Sequence, residues 1–350
     1  MDFKVKNLNF SESFKPIVIA EMSGNHNGSI KIAKKIIKKA AESGVDMIKF
    51  QTYTPETMTL KSNESKFTIK DRKSLWKNNN LYELYKKAHT PWKWHKELFD
   101  FSEKNNLIPF STPFDKTSLE LLETLGCKIY KVASFEITDL KLLENIAKTG
   151  KPIIISTGMA TLEEINDAVR IIRRYGCKKY ILLKCTSNYP ASPKDSNLNT
   201  IIDLKKKFKC NVGLSDHTLG IGVAVSSIAY GASVIEKHFV LDRSKGGVDS
   251  SFSLEPQEMK NLCIEVKNAW QAKGKIFYGV TKSEKKSLRF RRSLYFTRDL
   301  SKGQKISEND IKSLRPAIGL KPKFLKKIIN KKTSKKIKSG TPVNWHLIKI

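Results

Sequence analysis

Through its first 240 residues the chain repeats one phrase eight times: a short run rich in Ile and Val ends in polar residues, and an amphipathic, Lys-bearing stretch follows. The runs are PIVIAE (16–21), DMIKFQ (46–51), IPFSTP (108–113), IYKVAS (129–134), IIISTG (153–158), YILLKCTS (180–187), NVGLSDH (211–217) and VIEKHF (234–239). Near-continuous apolar runs of this length predict strands of a parallel sheet buried on both faces. Helical patterns lie between them. SIKIAKKIIKKAAESG (29–44) opens at a Ser29 cap and stops at Gly44, and TLEEINDAVRIIRRYG (161–176) opens at Thr161, carries Glu163 and Glu164 in its first turn and stops at Gly176. Eight strand–helix units in about 250 residues predict an α/β fold, a TIM (β/α)8 barrel. A doubly wound sheet is the rival, but no G-x-G-x-x-G follows the first run.

Two departures from a plain barrel stand out. Residues 54–95, which take in most of YELYKKAHTPWKWHKELF (82–99), are too long for one crossover helix and predict an excursion near the barrel mouth. After the eighth run, the loop LDRSKGGVDSSFS (241–253) precedes a last helix from about Glu255 to Gly274. TKSEKKSLRFRRS (281–293) reads as a charged linker. Short strands, a Lys-Gly turn and a Ser307/Asp310 cap then predict a small module. The expected domains are 1–280, a linker at 281–293, and 294–350.

Composition narrows the function classes. A 39% hydrophobic fraction is that of a globular chain, and no apolar run approaches the roughly 18 residues a membrane helix needs. The first residues lack the apolar core of a secretory signal. Five cysteines form no C-x-x-C pair, which disfavours zinc modules and disulfide scaffolds and predicts a reducing cytoplasm. Net charge is +31, from 65 bases and 34 acids, but 55 of the bases are Lys and ten are Arg. A nucleic-acid reader groups Arg with aromatics on one face; here Lys is spread along the chain. Residues from 281 onward carry 21 bases and four acids. That stretch is either a basic docking face or a solvated surface that attracts anionic substrate, and the second reading is preferred.

In a parallel barrel the strand C-termini gather at one mouth, where chemistry sits. The runs here end in Glu21, Lys49, Gln51, Thr112, Lys131, Ser134, Ser156, Ser187, His217 and His238. Each alone reads as a satisfied core polar group; together they predict a catalytic mouth. Glu236 and His238, two apart on one strand, share a face. His217 and His238 end neighbouring strands and suit a divalent ion with open positions, Glu21, Asp216, Glu236 and Asp249 being nearby carboxylates. A lone His more often caps a backbone carbonyl. Lys49 and Lys131, with the hydroxyls of Ser134, Ser156, Ser187 and Ser215, form an anion pocket suited to a small phosphorylated acid. No Walker A loop points to nucleotide hydrolysis.

The strings AEMSGNHNGS, IKFQTYTPETMTL, FSTPF, YKVASFE, STGMAT, KCTSNYP, VGLSDHT and IEKHF resemble the sialic acid synthase family. Residues 293–350 resemble its antifreeze-like (SAF) domain. The resemblance implies condensation of phosphoenolpyruvate with an acetamido sugar. QTYTPETMTL, LYELYKKAHTPWKWH and SLRPAIGLKPKF are most similar to the branch that makes pseudaminate from 2,4-diacetamido-2,4,6-trideoxy-L-altrose; the legionaminate and N-acetylneuraminate branches are the rivals. By the same resemblance His217 and His238 hold Mn2+, with Mg2+ or Co2+ as alternatives, and Glu21 is the general base. Lys49, Thr112, Lys131, Ser134, Ser156, Ser187 and Ser215 contact phosphoenolpyruvate. Gln51, Tyr189 and Asp249 lie on the sugar side, and Glu236 belongs with the substrate-binding set. Arg315 reaches the site of the other subunit in a domain-swapped homodimer. A carbohydrate-binding protein built on the antifreeze-like module would leave the barrel mouth unexplained. A nucleic-acid binder would explain the charge and nothing else.

Overall fold

A computed structural model of the chain describes residues 2–71 and 74–349. Eight parallel strands form a closed barrel. They are β1 (Ile17–Glu21), β2 (Met47–Thr52), β3 (Ile108–Pro113), β4 (Tyr130–Val132), β5 (Ile153–Ser156), β6 (Tyr180–Cys185), β7 (Asn211–Asp216) and β8 (Val234–His238). Neighbours follow chain order, and β8 closes on β1 with Glu236 opposite Ile19 and His238 opposite Glu21. The strands are buried on both faces because their inner side chains pack across the barrel and their outer ones against helices. Gly213 lets β7 meet β8 closely, since a Cβ there would lie 2.2 Å from the Val234 carbonyl oxygen.

The helix boundaries follow local chemistry. Ser29 caps the helix Ile30–Glu42 through the Ile32 amide at 3.4 Å, and Gly44 takes the left-handed conformation beyond it. Thr161 and Glu164 form a reciprocal capping box on the helix Leu162–Arg174. The last barrel helix, Pro256–Lys273, ends at Gly274. An antiparallel hairpin, Phe3–Val5 with Leu8–Phe10, lies where the strands begin, and the Asn211 side chain donates to the Phe10 carbonyl at 2.6 Å.

Among its described residues the excursion after β2 holds two short α-helices, Pro55–Met58 and Leu81–Ala88, with a 3-10 turn at Ser65–Phe67 between them, and the true crossover helix begins at Trp92. WKWH therefore belongs to the crossover helix and not to the excursion. The physical reason is Pro91, whose extended backbone separates the two helices and occupies the cap position of the second. A buried polar cluster seats this segment. The His26 ring nitrogens lie 3.1 Å from the Gly28 amide and 3.3 Å from the Thr90 hydroxyl. Thr52 bridges His95 at 2.8 Å and Ser111 at 2.6 Å.

A second compact unit begins at Lys275. Helical turns at Ser283–Phe290 precede an antiparallel pair, β9 (Ser293–Phe296) and β10 (Ile311–Leu314). Leu294, Phe296, Ile306, Ile328 and Val343 build its core. Asp310 is buried, accepts from Ser307 and pairs with Arg298. All five cysteines are free thiols. No helix among the described residues is long and apolar enough to cross a membrane.

Candidate active site

The C-terminal ends of the barrel strands surround a cavity of about 400 Å³. Lys49 on β2 and Lys131 on β4 are only 4% and 1% exposed, so each ammonium depends on anionic partners for its charge. The Lys49 Nζ lies 2.8 Å from Glu21 and 3.5 Å from Glu236, and the Lys131 Nζ lies 3.9 Å from Glu236. Lys131 also donates to the Ser156 hydroxyl at 2.6 Å and the Val132 carbonyl at 3.0 Å. Ser215 donates to Glu236 at 3.3 Å. Burial and the neighbouring carboxylates Glu236 and Asp249 push the Glu21 carboxyl above its usual range despite Lys49. Burial pushes the same way on Glu236, but Lys131, Lys49 and His217 outweigh it and hold that carboxyl low. Burial pulls the Lys131 ammonium down, and Lys49 adds to it. The two carboxylates are thus driven apart, one poised to take a proton and one kept ionised.

His217, just past the end of β7, and His238, at the end of β8, bring their ring centroids 5.3 Å apart. The Nδ1 of His217 lies 2.9 Å from the Thr186 carbonyl, which fits a tautomer with Nε2 free. Burial, then His217 and the nearby lysines, holds His238 far below the usual imidazole range and so neutral. Its Nδ1 is buried without a hydrogen-bond partner, 3.9 Å from Asp249. Two neighbouring imidazoles, one of them orphaned, fit a divalent ion. Among the described residues no set of three or more His, Cys, Asp or Glu side chains is gathered in metal-binding geometry. The fit is therefore to an ion held by two imidazoles, with its other positions open to water and substrate.

On the outer face of the same two strands, buried Lys237 donates to Asp216 at 2.7 Å and to the Thr218 carbonyl. Asp216 also accepts from the Thr218 amide and hydroxyl, at 3.0 and 3.1 Å. Asp216, grouped by sequence with the carboxylates near the histidines, is thus turned away from the cavity. Strand alternation is the reason, since only every second side chain faces inward.

The other expected residues fall as follows. Gln51 lines the cavity, and Tyr189 packs on His217 with ring centroids 4.5 Å apart. Asp249 accepts from Ser23. Ser134 and Ser187 share a hydrogen bond at 2.7 Å. A Cβ on Gly158 would lie 2.2 Å from the Ser187 hydroxyl, so a glycine keeps that cradle open. Thr112 is buried with its hydroxyl unpartnered. Arg315 belongs to the second unit, where it follows β10 and is exposed.

Several lining residues escaped sequence reasoning. Glu136 lies two positions past Ser134, its Oε2 buried and unpartnered, and burial pushes its carboxyl up to about 7. Cys185 ends β6 beside His217, 3.9 Å away. Its signal was its place at the end of the apolar run YILLKC. Trp76, Tyr53 and Tyr85 also line the cavity. Trp76 comes from the aperiodic excursion and had no sequence signal at all.

Fold and site together define a barrel enzyme whose mouth gathers two buried lysines, two buried glutamates and two imidazoles. The chain belongs to the NeuB family, which matches residues 36–278, and a SAF domain matches residues 291–349. It is 45% identical over 330 residues to the pseudaminic acid synthase of Helicobacter pylori, covering 94% of this chain and 96% of that protein. It is 41% identical to the N,N'-diacetyllegionaminic acid synthase of Campylobacter jejuni, covering 91% and 96%. Among solved structures it resembles the N-acetylneuraminic acid synthetase of Leptospira borgpetersenii in complex with citrate. There the TM-score is 0.74 and the identity 33%, covering 83% of this chain and 96% of that one.

Proposed function

We propose that this chain is a pseudaminic acid synthase, condensing phosphoenolpyruvate, 2,4-diacetamido-2,4,6-trideoxy-L-altrose and water into pseudaminate and phosphate. The observation that carries the reading is the buried Lys49–Lys131 pair beside His217 and His238 in one cavity. It sits in a chain 44–45% identical to pseudaminic acid synthases of two organisms.

Lys49 and Lys131 neutralise the phosphate and carboxylate of phosphoenolpyruvate, and Thr112, Ser134, Ser156, Ser187 and Ser215 add directional hydrogen bonds. Gln51, Glu136, Tyr189, Glu236 and Asp249 orient the open-chain sugar so that its aldehyde faces C3 of phosphoenolpyruvate. A divalent ion held by His217 and His238, Mn2+ or else Mg2+ or Co2+, supplies Lewis-acid polarisation. The C3–aldehyde carbon bond forms as water adds to C2, and the proton that water gives up passes by way of Glu21 to the carbonyl oxygen, which becomes a hydroxyl. The C2–O bond to phosphate then breaks as the C2 hydroxyl becomes a ketone, its proton leaving with the phosphate. The raised proton affinity of Glu21 suits the transfer from water.

A second copy of the chain completes the site in this reading, its second unit supplying Arg315, whose planar fork suits an acetamido carbonyl. The cytoplasm is the proposed location, since the five free thiols stay reduced there.

The test is phosphate release from phosphoenolpyruvate with the diacetamido altrose, its legionaminate-type isomer and N-acetylmannosamine. The altrose should give the highest kcat/KM. Exhaustive chelation should abolish turnover and added Mn2+ restore it, while His217→Ala and His238→Ala stay folded and inactive. Comparable efficiency on N-acetylmannosamine moves the reading to a sialic acid synthase. Full activity after chelation removes the metal from it.

A further inference from the structure

Each imidazole of the mouth follows, in the chain, one member of a buried ion pair: Asp216 precedes His217, and Lys237 precedes His238. The register sets Lys237 directly opposite Asp216, and the ladder between β7 and β8 ends at that pair. His217 therefore lies past the ladder, whereas His238 is still in register with Glu21 on β1. Beyond Asp216 the outer face closes into a polar clamp. Lys237 donates to Asp216 at 2.7 Å and to the Thr218 carbonyl, and Asp216 accepts from the Thr218 amide at 3.0 Å. The clamp thus grips the residues on both sides of His217. Two residues earlier on the same face the facing pair is Leu214 and Ile235, apolar and buried. An apolar pair would serve the outer face equally well in place of the charges, since two buried ions recover little beyond the cost of leaving water. The charged pair stands where the strands hand over to the histidines.

We infer that Asp216 and Lys237 are positioning residues, whose ion pair carries the register of β7 and β8 one residue past the ladder and fixes the spacing of His217 and His238 for a divalent ion. The inference rests on the proposed function and adds what holds the two imidazoles at their separation. Both side chains point to the outer face, so they act through their chain neighbours and not on substrate. Other contacts of His217 run to the segment after β6: its Nδ1 lies 2.9 Å from the Thr186 carbonyl, and its own carbonyl accepts from the Ala191 amide at 3.0 Å. The clamp ties it to β8 instead, the strand that carries the other imidazole. Loss of the groups that orient metal ligands weakens metal binding by about 10- to 100-fold. A clamp that works through the backbone belongs at the lower end of that range.

The experiment titrates the metal-stripped full chain with Mn2+ and reads the free ion by electron paramagnetic resonance. The double variant Asp216→Asn with Lys237→Met removes both charges together and strands neither. It should bind Mn2+ about tenfold more weakly than the wild type. In turnover it should need about tenfold more Mn2+ for half its maximal rate, with the KM for phosphoenolpyruvate unchanged. Asn211→Ala is the control, since it cuts the contact with Phe10 at the other end of β7. It should lower the urea midpoint and leave Mn2+ affinity as it was. Circular dichroism checks each fold, and Asp216→Asn by itself decides if the double variant does not fold. Wild-type Mn2+ affinity in the folded variant overturns the inference and leaves the proposed function standing. An equal loss of affinity in Asn211→Ala does the same, because affinity would then follow stability. A wild-type chain that binds no Mn2+ overturns the inference and also removes the metal from the proposed function.

Discussion

Glu136 illustrates how one side chain acquires a task from its surroundings. Its Oε2 is buried without a partner at the rim of the cavity, and burial brings the carboxyl up to about 7. Near neutral pH it therefore exists in both forms and can donate to or accept from a sugar hydroxyl. Glu136→Gln removes the charge and keeps the shape. It should raise the KM for sugar by about tenfold while that for phosphoenolpyruvate hardly moves. Steady-state kinetics with each substrate varied in turn checks this; equal effects on both KM values would show Glu136 to be structural. The Lys237–Asp216 pair is a second case. Replacing Lys237 with Met strands a buried carboxylate and should cost about 3–5 kcal/mol, read as a lower urea midpoint. An unchanged midpoint would show that the Thr218 amide and hydroxyl suffice for Asp216.

At the scale of elements, the excursion after β2 lines part of the mouth cavity, and it is seated by buried imidazoles. Burial pulls both His26 and His95 down from 6.5 to about 4, so both are neutral in the fold at pH 7. A depressed folded pKa contributes stability that is complete above pH 6.5 and disappears as pH falls through about 4. Each histidine should contribute on the order of 3 kcal/mol across that window. Urea midpoints measured from pH 7 to pH 4 should fall steeply for the wild type and less steeply for His95→Gln, which keeps a donor for Thr52. Equal slopes would place the acid sensitivity elsewhere. The barrel strands were legible because a doubly buried strand must be apolar throughout, and PIVIAE or IIIS cannot be mistaken for a solvated face. His217 and His238 were legible as strand ends. The excursion was not: Leu81–Ala88 shows a helical period, but its placement over the cavity depends on Gly24 admitting Ala88, where a Cβ would lie 3.1 Å from the Ala88 backbone. Such a long-range contact leaves no local pattern. Asp216 was misplaced for the related reason that proximity in sequence to His217 ignores the alternation of the strand.

For the whole molecule, the net charge of +31 belongs to a protein whose proposed substrate is an anion that its field attracts. Dependence on a second copy can be tested by mixing Arg315→Ala with inactive His238→Ala. One site of a mixed dimer would unite an intact barrel with the partner's intact arginine, and activity should reappear on subunit exchange. Mixed dimers that form and stay inactive would show that Arg315 serves its own subunit or none. The central claim is the condensation itself, and isotope tracing tests it most directly. Phosphoenolpyruvate carrying ¹⁸O at the oxygen bridging C2 and phosphorus is supplied with equal amounts of the diacetamido altrose and N-acetylmannosamine, and both products are weighed by mass spectrometry. The account predicts pseudaminate as the main sugar acid and the label in the released phosphate. N-acetylneuraminate as the main product, or phosphate without the label, would contradict it.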